Sequence, residues 1–140
     1  MNANRDASHC FVCGLRNPIG LHITFSVSDG RVTGEFTPSD LHVGFTGIVH
    51  GGIVAAVLDD AMAAVGYWQG EPTVTARLSV RYRRPARPGE PLRVEAEELH
   101  RRGGMRSGRA TLRRADGVVI AEADAVLAAL PAAAPARPDA

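Results

Sequence analysis

The chain has 140 residues, a net charge of +1, 45% apolar residues and seven aromatics. That length fits one domain that buries its own core without a metal or disulfide staple. The near-zero charge and few aromatics offer nucleic acid no electrostatic footprint and few stacking platforms, and no apolar, charge-free run reaches the roughly 18 residues that a membrane span needs.

Residues 1–13 read as a flexible lead-in. They are polar and lack an apolar signal core, so a cytoplasmic location is expected. Cys10 and Cys13 form a Cys-x-x-Cys pair. Zinc wants two further ligands at metal spacing, and only His9 and His22 lie near. A redox motif wants a βαβ context that does not follow. Two reduced, partly buried thiols are therefore expected, with no metal and no cofactor.

"GLRNPIG" is a turn, and "LHITFSV" alternates with the period of a strand. Asp29-Gly30 signals a hairpin returning through "RVTGEF", and residues 37–49 form an irregular loop. Gly51-Gly52 then opens a helix over Ile53 to Trp68, closed by Gly70 and Pro72. It is apolar nearly all round, as a buried helix is. Four strands follow: "TVTARLSVRYR", "LRVEAEELHR", "MRSGRATLRR" and "VVIAEADAVLAAL". In the first, Val74, Ala76, Leu78, Val80 and Tyr82 take one face, and Thr75, Arg77, Ser79 and Arg81 the other. Arg77 and Arg81 are expected near Glu95 and Glu97, as cross-strand pairs or simply as a solvated outer face. Short turns imply an antiparallel sheet. One helix and one sheet bury each other when the sheet wraps the helix, an α+β hotdog arrangement. The domain is expected over 14–130, with 131–140 a disordered Pro/Ala tail.

Two adjacent acids, Asp59 and Asp60, sit inside the buried helix with no Lys or Arg in the segment. An unpaired buried carboxylate is costly. Neighbours on a helix point about 100° apart, so one acid is expected at a cleft and the other at a wetter edge or interface. Both could equally be solvated at a gap in the sheet. A helix start presents free N–H groups and a positive dipole end, and glycine there admits a close ligand. Those amides would stabilise an oxyanion. Gly51-Gly52 could instead serve close packing, and His50 could be only an N-terminal cap.

"GIVHGGIVAAVLDDAM" followed by "TVTARLSVRYRRPARPGE" resembles the hotdog acyl-CoA thioesterases of the PaaI type in the thioesterase superfamily. The shared pattern is His-Gly-Gly, an acid nine residues after the His, and Thr or Ser ten before the Pro that ends the next strand. Here these are His50, Asp59, and Thr75 before Pro85. The opening "CFVCGLRNPIGL" is similar to that of many relatives. The resemblance implies an acyl-CoA thioesterase in which Asp59 is general base or nucleophile and Thr75 holds the water or the carboxylate. It also implies a Gly52 N–H, with Gly51, as oxyanion site and His50 beside the thioester. The Asn or Gln that relatives often carry six or seven residues before the histidine is Gly44 or Val43 here, which leaves His42 to orient the thioester. Arg83 and Arg84, with Arg87, Arg101 and Arg102, are candidates for the coenzyme phosphates or plain surface charges.

Eight residues separate Gly51 from Asp59, a rise of about 12 Å, too long for both to serve one carbonyl within one chain. A homodimer, or a dimer of dimers, with the site at the interface would resolve this. Two other readings compete: a hotdog dehydratase or hydratase, whose Asp-x₄-His pattern fails at Ala64, and a non-catalytic acyl-CoA binder.

Overall fold

The computed structural model describes residues 6–131. The proposed Pro/Ala tail beyond 131 lies outside the described residues, as do residues 1–5. The element order is β1 (Phe25–Ser28), β2 (Arg31–Phe36), a 3-10 turn (Asp40–His42), α1 (Gly51–Trp68), β3 (Thr73–Tyr82), β4 (Leu92–Arg102), β5 (Met105–Arg114) and β6 (Val119–Ala129). The strands form one antiparallel sheet in the order β1-β2-β4-β5-β6-β3. It is a hotdog fold, a sheet wrapped round one helix.

The core lies between helix and sheet. Val54, Val57, Leu58, Ala61, Met62 and Val65 of α1 pack against Val94, Leu112, Ala123 and Leu127 of the strands. Leu58 and Met62 are essentially fully buried, each stabilising the fold by about 1.5–3 kcal/mol. The β1–β2 hairpin turns through Asp29 (φ 52°) and Gly30 (φ 73°), two left-handed residues as a tight hairpin requires. No described helix is long and apolar enough to cross a membrane.

Three expectations change. The first strand begins at Phe25, because His22 takes a left-handed φ of 55° that breaks the extended run. Residues 6–13 are not loosely held: Leu21 and Ile23 donate backbone hydrogen bonds to Phe11 and Val12, and Val12 is 4% exposed in the core. Arg77 and Arg81 do not lie across from Glu95 and Glu97. Strand β3 pairs with β6, so β5 and β6 stand between it and β4. Glu97 pairs instead with Arg31 and Arg109, and Glu95 with Arg93.

Candidate active site

The sheet does not cover α1 completely. Ala55, Ala56, Asp59, Asp60, Ala63 and Tyr67 are only half buried, and they fall on one continuous arc of the helix. Ala56, Ala63 and Tyr67 lie between the two acids on this arc, and Ala55 lies beyond Asp59. Asp59 faces the edge strand β3 and Asp60 faces the lead-in.

Thr75 Oγ1 donates to Asp59 Oδ1 at 2.5 Å. Strict alternation along β3 would put Thr75 on the outer face with Arg77 and Ser79. A β-bulge prevents this: Thr75 pairs with Leu127, Arg77 pairs with Val126, and Ala76 is the extra residue. The bulge moves Thr75 onto the face of Leu78 and Val80 and turns Val74 outward, where it is 50% exposed.

At the helix start, His50 is the N-cap and its Nδ1 accepts the Gly52 N–H at 2.8 Å. A neutral ring so engaged carries its proton on Nε2. The Ile53 and Val54 N–H groups both bond the His50 carbonyl. Among the described residues, Gly51 is therefore the one member of the first turn whose N–H has no acceptor. The imidazole already occupies the Gly52 N–H, so at this corner Gly51 and not Gly52 has an N–H open to a ligand. The Tyr82 hydroxyl donates to the Gly51 carbonyl at 2.6 Å, which ties the end of β3 to this corner. In the sequence Tyr82 is only one member of an apolar alternation, and nothing local marks this bond. His42 lies in the same place. It lines a cleft of about 370 Å³ with Leu41, His50, Gly52 and Ile53, and its backbone carbonyl accepts the His50 N–H. Its Nδ1 is taken by the Ser39 N–H.

Arg83 and Arg84 follow Tyr82 directly and so lie at the helix-start end, Arg83 paired with Glu122 at 3.4 Å. Arg101 lies at the opposite end of α1. It bonds Gln69, Glu71 and Glu98 beside the buried Arg106, far from the Gly51 corner.

Asp60 is not at a wetter edge. Cys10 Sγ donates to its Oδ1 at 3.4 Å, and the Cys13 Sγ lies within 4.8 Å of the carboxylate. Its Oδ2 is buried without a partner. Burial raises its pKa above the usual carboxylate range, and the nearby Asp59 adds to the rise. Burial likewise raises the Cys13 thiol, helped by the Asp60 charge. Beside these groups lies a mostly apolar cavity of about 520 Å³, lined by Phe25, Ala63, Ala64, Tyr67 and Trp68 among others.

A family model of the Thioesterase superfamily matches residues 46–121. Among solved structures, a thioesterase superfamily protein is 31% identical with a TM-score of 0.80, the match covering 86% of this chain and 60% of that one. This chain thus spans about three-fifths of that relative's length. The Escherichia coli PaaI protein from the phenylacetic acid degradation operon is 19% identical (TM-score 0.73, 77% and 83% covered). A hypothetical thioesterase from Streptococcus pneumoniae TIGR4, crystallised with coenzyme A, is 17% identical (TM-score 0.73, 77% and 85% covered). Structures of the pneumococcal protein also exist with an aspartate, and a threonine sixteen positions later, changed to alanine. A comparison with curated proteins found no match. With the matched region running from the loop before the helix into β6, and six antiparallel strands around that helix, the chain belongs to the Thioesterase superfamily.

Proposed function

We propose that the protein hydrolyses acyl-CoA thioesters, with water consumed and free acid and coenzyme A released. The observation that carries this reading is Asp59, set on the half-covered helix face and gripped by Thr75. Thr75 orients one carboxylate oxygen and leaves the other to take a proton from water or to attack the carbonyl carbon. Asp59 and Thr75 stand sixteen residues apart, the spacing of the two substituted residues in the pneumococcal relative.

The thioester oxygen would sit on the Gly51 N–H, at the positive end of α1. His50 Nε2–H would be the second donor there, and His42 lines the cleft that His50 also lines. Arg83 and Arg84 at the same end would meet the coenzyme phosphates. Gly51 and Asp59 are about 12 Å apart along the helix, so the reading includes a homodimer in which each site takes Asp59 from one protomer and Gly51 from its partner. The surface that would join them is available: β3 is an edge strand, and next to it lies the uncovered Ala55, Ala56 and Ala63 arc. The two free thiols suit a reducing compartment such as the cytoplasm.

The test is thiol release from a panel of acyl-CoAs. Release by the wild type that disappears in Asp59→Asn supports the reading. Hydration of an enoyl-CoA without thiol release would instead support a hydratase, and thermal stabilisation by acyl-CoA without either reaction a binding protein.

A further inference from the structure

One group of reactive side chains has no part in that mechanism. Cys10 Sγ, Cys13 Sγ and an Asp60 carboxylate oxygen all lie within 4.8 Å of one another. They come from distant parts of the chain. The Cys-x-x-Cys turn is pinned by Cys10 N–H to Ala7 O, Gly14 N–H to Cys10 O and the bonds to Leu21 and Ile23, while Asp60 rides on the rigid helix.

We propose that Cys10, Cys13 and Asp60 form a binding site for a borderline-soft divalent cation, zinc above all, which clips the lead-in to the helix. Two thiolates and one carboxylate are the ligand chemistry that selects zinc over magnesium or calcium. In a tetrahedral site with Zn–S of about 2.3 Å and Zn–O of about 2.0 Å, ligand atoms stand roughly 3.5–3.8 Å apart. The Cys10–Asp60 contact already measures 3.4 Å. Binding requires both thiols, and the Asp60 carboxyl wherever it is protonated, to lose their protons to solvent, after which the cation is held by two sulfurs and one oxygen.

Two observations apart from the spacing favour a cation. Asp60 Oδ2 is buried with no partner, and such an acid is normally compensated by a positive charge. Among the described residues no Lys or Arg pairs with Asp60, although Arg16 lines the neighbouring cavity. The fourth coordination position would open toward that cavity, which Cys10, Cys13 and Asp60 all line, with room for water or a small ligand. The sequence offers no further ligand pair at metal spacing close to the cysteines, and the expectation of no metal rests on that. The third ligand comes from 47 residues beyond Cys13, through the fold.

The experiment uses the full chain, reduced and metal-free, titrated with cobalt(II) as a spectroscopic stand-in for zinc. A thiolate-to-cobalt charge-transfer band that saturates at one cobalt per chain, and that zinc abolishes, is the expected result. A hundredfold excess of zinc over its Kd should raise Tm by roughly 5–10 °C, and magnesium should not. Cys13→Ser should weaken the band, and Asp60→Asn should lower cobalt affinity. Absence of the band in the wild type overturns the site. So does a band that survives when both cysteines are serine, or an affinity that Asp60→Asn leaves unchanged. None of these readouts depends on thioester hydrolysis, so the site and the proposed activity stand or fall separately.

Discussion

The Thr75 hydroxyl donates a 2.5 Å hydrogen bond to Asp59 Oδ1, and so joins the edge strand β3 to the uncovered face of the helix. The bond fixes the orientation of the carboxylate. If Asp59 is the acid–base or nucleophilic group, Asp59→Asn should lower kcat on acyl-CoA by at least about a hundredfold. Thr75→Ala should lose less, and Thr75→Ser, which keeps the donor, should recover most of the difference. Steady-state thiol release from the four proteins, with circular dichroism to check the fold, decides the matter. An active Asp59→Asn would remove Asp59 from the chemistry.

The helix and the strands were legible because apolar periodicity and turn residues mark them directly. Strand β2 and strand β5 fall on the segments that the pattern indicated. The spatial order of the strands was not legible, since neither periodicity nor turn length says that β3 crosses to the far edge. The bulge at Ala76 escaped for a different reason: one extra residue leaves the local alternation of types intact while reversing which residues face the helix. Only the motif spacing sets Thr75 apart, because its phase in the alternation points it away from the helix. The burial of Asp60 was not legible because its surroundings come from the lead-in, whose polar sequence gives no sign of packing.

Tyr82 holds the Gly51 carbonyl by a single 2.6 Å bond. Tyr82→Phe removes that bond and keeps the ring. A hydrogen bond of this kind contributes about 0.5–1.5 kcal/mol, so turnover should fall roughly two- to tenfold if the corner positions the thioester. The loss should appear in kcat more than in Tm. A change in Tm alone, with kcat intact, would make Tyr82 a purely structural tie.

Asp60→Asn separates the two acids. Burial raises the Asp60 pKa, so the folded state favours the protonated carboxyl. Its stabilising contribution is complete below the unfolded value of about 3.9 and is lost as pH rises through the folded one. In chelator-treated protein, asparagine avoids that loss. The variant should melt higher than wild type at neutral pH, and the gap should narrow as pH falls toward 4. Its thiol-release activity should stay close to wild type. If Asp60→Asn is inactive while Asp59→Asn works, the two acids have exchanged roles.

Gly51→Pro tests the oxyanion donor without removing the helix. Residue 51 is the first helical position after the His50 cap, where proline is well tolerated and where its missing N–H breaks no helical bond. A side chain at this point would meet the Tyr82 ring at 3.5 Å, an ordinary contact. Loss of one oxyanion donor lowers kcat by about 10²–10³-fold. That loss, with Tm little changed, is the outcome expected of Gly51→Pro. Normal turnover would mean that the carbonyl binds elsewhere.

A shared site makes one more demand. Asp59→Asn and Gly51→Pro are each expected to be nearly inactive as pure proteins. If every site takes its acid from one protomer and its amide from the partner, a mixed dimer holds one doubly damaged site and one intact site. Unfolding and refolding the two variants together in equal amounts makes half of the dimers mixed, so activity should return to about a quarter of wild type. Sites built within single chains would recover nothing, because every chain carries a lesion. Size-exclusion chromatography with light scattering, run on the same samples, shows whether dimers form. Dimers that mix without recovering activity would place Gly51 and Asp59 of one protomer at the same site, against the 12 Å or so that the helix puts between them.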